Sequence, residues 1–128
     1  MKKVKKQCYA LYQEIVVFRD EVCQRPGCYK PAVSGHHAFG RNKMGTAFQT
    51  DGGLGLCNED HDGWARMRPG EVKEVLLRKI GQKRYDELAL LSRQDHRLRD
   101  QDFMDNAVRL GLELIELREK KRKEQENE

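Results

Sequence analysis

The 128-residue sequence predicts an α+β protein in which a small irregular centre, carrying two short strands, sits inside a frame of helices. Three cysteines and three histidines fall within residues 23–61, in the order Cys23, Cys28, His36, His37, Cys57 and His61. The same stretch is broken by Pro26-Gly27, Pro31, Gly35, Gly40, Gly45 and Gly52-Gly53, which leaves no room for a helical period. The segments on either side carry apolar residues at steps of three and four, the spacing of a helix face.

In chain order, residues 7–20 place Leu11, Ile15 and Phe18 on one face of an amphipathic helix. Residues 32–39 and 53–57 are the candidate strands, joined by a loop through Arg41, Lys43 and Met44 whose length points to a functional role. Residues 58–66 read as a short helix ending by Pro69. Asn58 is placed to cap its first turn, and Glu59 and Asp60 suit the positive end of its dipole. Residues 71–80 and 82–93 read as two helices parted at Gly81. Residues 100–123 read as a longer helix with an apolar stripe of Phe103, Ala107, Leu110, Leu114 and Leu117. The stripe predicts packing on the domain, with a homodimer paired through this helix as the alternative. Together these elements make one unit in three segments: an N-terminal helix over 1–22, a core over 23–68 and a C-terminal helical extension over 69–128.

Hydrophobic residues make up 38% of the chain, and no apolar run approaches the roughly 20 residues that cross a bilayer, so no membrane partner is expected. The basic start MKKVKK runs into Gln and Glu without a small-residue cleavage site, and a cytoplasmic location is expected. The net charge of +4 suits a polyanionic partner, but 21 acidic residues stand against 25 basic ones. Attraction must therefore come from local patches.

The cysteine spacing fits metal ligation better than disulfides, with Cys8 standing apart. Zinc favours four tetrahedral ligands drawn from thiolate and imidazole, and Cys23, Cys28 and Cys57 supply three. The fourth should come from about three residues after Cys57, where the chain offers Asp60 and then His61. Adjacent strand residues point to opposite sides, so the pair His36-His37 can divide two roles, one imidazole binding metal while the other polarises a water.

The stretches FRDEVCQRPGC, SGHHAFGR and TAFQTDGGLGLCNEDHDGW resemble the HNH endonucleases, over about residues 17–66. The resemblance implies a ββα-metal (His-Me finger) centre with flanking helices that hydrolyses DNA phosphodiester bonds. It implies that His36 and His61 hold a catalytic divalent metal and that His37 is the general base; with Asp60 where the family has a Cys, a structural Zn²⁺ on Cys23, Cys28, Cys57 and Asp60 is the favoured expectation, beside weak binding completed by water or no zinc at all. The residues after Pro69 are similar to the helical extension of some small phage-type nucleases, which implies DNA processing or recombination in a host cytoplasm.

Two positions depart from the family pattern: its central Asn falls on Gly52 and its last Cys on Asp60. The group that fixes the tautomer of His37 must then be a backbone carbonyl or a neighbour such as Asn58 or Asp51. A further ligand one turn after His61 would fall on Ala65, which leaves an open site suited to Mg²⁺ or Mn²⁺. Arg41, Lys43, Arg66 and Arg68 are the candidate phosphate contacts, with weak sequence preference expected. Tyr29 and Trp64 offer rings for base stacking, although Trp64 is expected in the core. A zinc-stapled nucleic-acid-binding module without catalytic activity is the alternative reading. Activity carried by a histidine base is expected to rise near its ordinary pKa of about 6.5 unless the site shifts it.

Overall fold

A computed structural model of the chain describes residues 2–94 and 96–127. Its elements are α1 (Lys2–Asp20), β1 (Ser34–His37), β2 (Gly53–Leu56), α2 (Asn58–Asp62), α3 (Trp64–Met67), α4 (Pro69–Ile80), α5 (Gln82–Arg93) and α6 (Asp100–Glu126). The fold is α+β, with a two-stranded antiparallel sheet among helices. His36 lies opposite Leu54 and His37 opposite Gly53. Both strands fall inside the predicted ranges, and the first stops short of residue 39 because the chain turns at Gly40, where φ is 98°.

Local chemistry accounts for the helix limits. Pro69 opens α4 at a position where its missing N–H costs nothing. Gly81, with φ of 85°, parts α4 from α5 as the sequence predicts. The backbone N–H of Arg99 donates to Asp102 at 2.8 Å, and Asp100 and Asp102 face the positive end of α6. The helix expected over 58–66 is instead two short pieces parted at Gly63, and Asn58 is not its cap. Cys57 holds the cap position and makes no capping bond, since its thiol turns inward to Asp60.

The buried face of α1 also differs from expectation. Cys8, Tyr12, Ile15 and Val16 are buried, whereas Leu11 and Phe18 are only partly covered. The helix begins at Lys2 and presents this face to two partners, the sheet and α6. Against the sheet, Gln13 grips Gly35 by both backbone groups, donating to its carbonyl at 2.8 Å and accepting from its N–H at 2.6 Å. Asp20 accepts the Gly55 N–H at 2.7 Å, and Lys79 of α4 pairs with the same carboxylate. A Cβ on Gly55 would lie 3.0 Å from Asp20 Cβ, and one on Gly53 would collide with the Tyr12 hydroxyl. The approach of helix to sheet therefore requires glycine at 53 and leaves little room for a side chain at 55.

Two apolar clusters form the core. One gathers Cys23, Leu54, Leu56, Cys57, Trp64, Ala65, Val72 and Leu76; the other gathers Cys8, Ile15, Ala47, Phe48, Phe103, Leu110 and Leu114. Trp64 is a core residue, as expected, and the Cys8 thiol, buried between α1 and α6, donates to the Phe103 carbonyl at 3.2 Å. The Phe103–Leu110–Leu114 stripe packs inside the domain, against α1 and the 44–48 loop. Pairing of two copies through α6 would have to use its opposite face, where Met104, Val108, Leu112 and Ile115 are exposed. No helix among the described residues is long and apolar enough to cross a membrane. Gly53→Ala should destabilise the fold by about 1–3 kcal/mol, because an overpacked Tyr12 must move. Urea denaturation measures this, and an unchanged midpoint would contradict the contact.

Candidate metal and histidine site

The knuckle loop after α1 and the first turn of α2 bring Cys23, Cys28, Cys57 and Asp60 together, with all four ligand atoms within 4.8 Å of one another. Asp60 Oδ2 accepts from the Cys23 thiol at 3.1 Å and the Cys57 thiol at 3.3 Å, and the Cys28 and Cys57 sulfurs are 4.0 Å apart. A tetrahedral ion with bonds of about 2.3 Å to sulfur and 2.0 Å to oxygen sets S···O near about 3.5 Å and S···S near about 3.8 Å. The donor set could therefore hold a metal ion and is compatible with zinc. Of the two candidates for the fourth position, Asp60 is the one that joins the thiols.

Arg25 fixes that carboxylate from outside, donating to Asp60 Oδ1 at 2.8 Å and leaving Oδ2 to the sulfurs. Its guanidinium also lies 6.0 Å from the Trp64 ring centroid. Burial works against ionisation of Asp60, but hydrogen bonds from Arg25 and the three thiols hold its pKa down to about 2. Burial pushes the Cys23 thiol up to about 12, the cost of a thiolate with no cation beside it.

The neighbouring histidines of β1 meet different partners. The His36 ring stands edge-on to His61 of α2, with centroids 5.5 Å apart, a separation that metal–nitrogen bonds of about 2.1 Å from each ring can bridge. Among the described residues, the group of three or more clustered potential ligands is the cysteine and aspartate one, so this pair offers two ligands and leaves positions open. His37 is stacked on Tyr12 at 4.1 Å with 9° between the rings, and Tyr9 meets it edge-on at 6.0 Å.

His37 Nε2 lies 3.0 Å from the Ala47 carbonyl. A carbonyl only accepts, so Nε2 carries the proton and Nδ1 keeps its lone pair. The orienting group is thus a backbone carbonyl, the first of the alternatives open to the sequence, and it comes from the long loop between the strands. A Cβ on Gly52 would meet Leu88 and Phe39 at 3.5 Å, so a side chain there would pack against apolar groups. Burial lowers both histidines to about 4, with His61 adding to the effect at His36, and Arg41 opposing protonation of His37 against the pull of the Ala47 carbonyl. Both are neutral near pH 7, and their titration moves below the ordinary value of 6.5.

Two cavities open beside the pair. The first, of about 470 Å³, is lined by Gln13, Ser34, His36, His37, Arg41 and His61. Arg41 is held there by its guanidinium, 4.4 Å from the Tyr9 ring centroid, and by its carbonyl, which accepts from the Tyr9 hydroxyl at 3.1 Å. Lys43 is exposed on the same loop. Arg66 and Arg68 are exposed but line neither cavity, and Arg68 pairs with Glu71 at 3.7 Å. Tyr29 is 87% exposed at the knuckle, away from both cavities.

The second cavity, of about 550 Å³, shares His36 and His37 with the first and is closed by α4 and α5 through Val72, Lys73, Leu76 and Tyr85. Sequence reasoning missed Lys73 and Tyr85. Both lie in helices whose pattern announces only amphipathic packing, and no local signal ties them to the histidines.

Comparison with known proteins supplies no relative. No family model matches the chain, and neither a curated protein nor a solved structure matches it.

The histidine shifts carry a stability consequence. Each histidine has a folded pKa of about 4 against an ordinary 6.5, so on acidification the unfolded chain takes up its protons first. The contribution of neutral burial is complete above pH 6.5 and is lost as pH falls towards 4. Thermal unfolding with no added Mg²⁺ or Mn²⁺ should show Tm declining over that window, with a shallower decline in His36→Gln/His37→Gln. Equal slopes for the two proteins would contradict the burial argument.

Proposed function

We propose that this chain is a metal-dependent endonuclease of the HNH type that hydrolyses DNA phosphodiester bonds, with β1, β2 and α2 as its ββα-metal unit. The observation that carries the reading is the setting of His37: its Nε2–H is tied to the Ala47 carbonyl, which leaves Nδ1 as a free base beside the His36–His61 pair. His37 lines a cavity that also holds Arg41 and two further imidazoles, a grouping that a packed structural histidine does not need.

On this reading His36 and His61 would hold a divalent ion, Mg²⁺ or Mn²⁺, whose contribution would be positive charge beside the scissile phosphate. His37 Nδ1 takes the proton of the attacking water as its oxygen bonds to phosphorus and the bond to the leaving oxygen breaks. The carbonyl bond of Ala47 and the stacked Tyr12 hold the imidazole in place, and Nε2–H stays donated while Nδ1 becomes protonated. Arg41, and Lys43 beyond it, would neutralise phosphates beside the cut. Cys23, Cys28, Cys57 and Asp60 would hold Zn²⁺, and their cluster joins the knuckle loop to α2, the helix that carries His61.

Plasmid relaxation with purified protein should require Mg²⁺ or Mn²⁺, and His37→Ala should cut about 10²–10⁴-fold more slowly. Cutting that survives the substitution would remove His37 as base. DNA binding without cutting under any metal would leave the non-catalytic binding module. The rate should level off at a pH below the ordinary histidine value, since burial lowers the pKa of His37. Metal analysis should find zinc lost in Cys57→Ser, and Arg25→Ala should weaken zinc affinity about 10- to 100-fold by freeing Asp60. Full zinc retention in Cys57→Ser would contradict the ligand assignment.

A further inference from the structure

The two cavities beside the histidine pair differ in chemistry. The one with Gln13, Arg41 and His61 offers cation, amide and imidazole nitrogens, suited to a phosphate. The other is floored by Ala65, Val72 and Leu76, and one aromatic ring, Tyr85, lies on its wall. Its volume of about 550 Å³ falls within the roughly 300–1,000 Å³ range of sites that enclose small ring compounds.

We propose that this second cavity is a subsite for an unstacked nucleobase next to the scissile phosphate, so that the substrate is DNA whose strand is single or frayed at the cut. The inference rests on the endonuclease reading above and adds to it the class of DNA. His36 and His37 form a wall common to both cavities, so a nucleotide whose phosphate occupies the first places its neighbouring base at the mouth of the second.

Tyr85 is set for stacking. Phe39 supports it at 5.1 Å between centroids, and the exposed Lys73 ammonium stands 5.3 Å from its ring centroid. A base entering the cavity would take the place of the ammonium over the ring, freeing Lys73 to meet the adjoining phosphate. A paired base has its ring faces covered by its neighbours, and reaching a concave pocket requires unpairing and unstacking; the cost is least for a base that is already unpaired. Stacking on Tyr85 is open to any base, since every base has a π-face, so occupancy should be tolerant of sequence.

The test uses zinc-loaded full-length protein without Mg²⁺ or Mn²⁺, so that binding is read apart from cutting. Fluorescence anisotropy compares a labelled single-stranded oligonucleotide with its blunt duplex at one salt concentration, and a second strand carries 2-aminopurine. We expect the single strand to bind about tenfold more tightly, with 2-aminopurine emission quenched on binding. Tyr85→Leu should weaken single-strand binding about tenfold and leave duplex binding within about twofold, while Tyr85→Phe keeps the preference. Lys73→Glu, on an exposed side chain, should weaken single-strand binding even if Tyr85→Leu fails to fold. Duplex bound as tightly as single strand, 2-aminopurine emission unchanged, or single-strand affinity unmoved in Lys73→Glu and in folded Tyr85→Leu would each overturn the subsite. Plasmid cutting alongside any of these results leaves the nuclease reading standing, whereas failure to bind either form of DNA overturns both.

Discussion

The contact on which the structure depends is the bare face that β2 turns towards α1. Gly53 and Gly55 have no side chains to hold the helix off, so Tyr12 and Asp20 reach the strand backbone itself. The interaction is closed by charge as well as by shape. Arg19 donates to Asp20 and to the carbonyls of Thr50 and Gly53, and Lys79 brings α4 onto the same carboxylate. Burial opposes ionisation of Asp20, but these donors and the Gly55 amide hold its pKa below the ordinary carboxylate value. A charge buried with several donors is costly to break, which makes this junction a fixed point from which helix, sheet and α4 are aligned.

The histidine pair inherits its setting from that alignment. Tyr12 crosses the sheet at Gly53, the residue opposite His37, and so comes to lie flat on the imidazole. The loop between the strands returns over the same ring, with Ala47 and Phe48 buried and the Ala47 carbonyl aimed at Nε2. His36 meets His61 of α2, a helix whose first turn carries Asp60 of the cysteine and aspartate corner. The two imidazoles are neighbours in sequence, yet one lies on Tyr12 of α1 and the other meets His61 of α2.

Much of this is legible in the sequence where periodicity or spacing carries it. The helices after Pro69, the stripe of α6 and the grouping of Cys23, Cys28 and Cys57 follow from pattern, whereas the choice of Asp60 over His61 as their companion comes from the fold. The buried face of α1 does not. Its stripe was expected at Leu11, Ile15 and Phe18, but the partner surface is glycine backbone that accepts a tyrosine and an aspartate, which no hydrophobic pattern encodes. The cap of α2 was misplaced because Cys57 has a use for its side chain other than capping. The partner of His37 is a main-chain carbonyl, a group present at every residue and therefore without a sequence signature. Tyr85 reaches the histidines through the turn at Gly81, and only the fold brings them together.

The two apolar clusters differ in how much chain they must gather. The cluster around the cysteines draws its buried members from residues between Cys23 and Leu76, whereas the one beneath His37 joins Cys8 to Leu114, and Lys121 of α6 reaches the Phe18 carbonyl of α1. Closing long loops costs chain entropy before contacts repay it, so structure dominated by distant pairs forms slowly. The α1–α6 seam is therefore the late step, while the contacts that set the His37 ring, from Tyr12 and Ala47, span less chain than the Cys23–Asp60 pair and can form as early as the cysteine corner. A chain whose first and last helices had not yet met could already hold both its cysteine corner and its His37 ring in place.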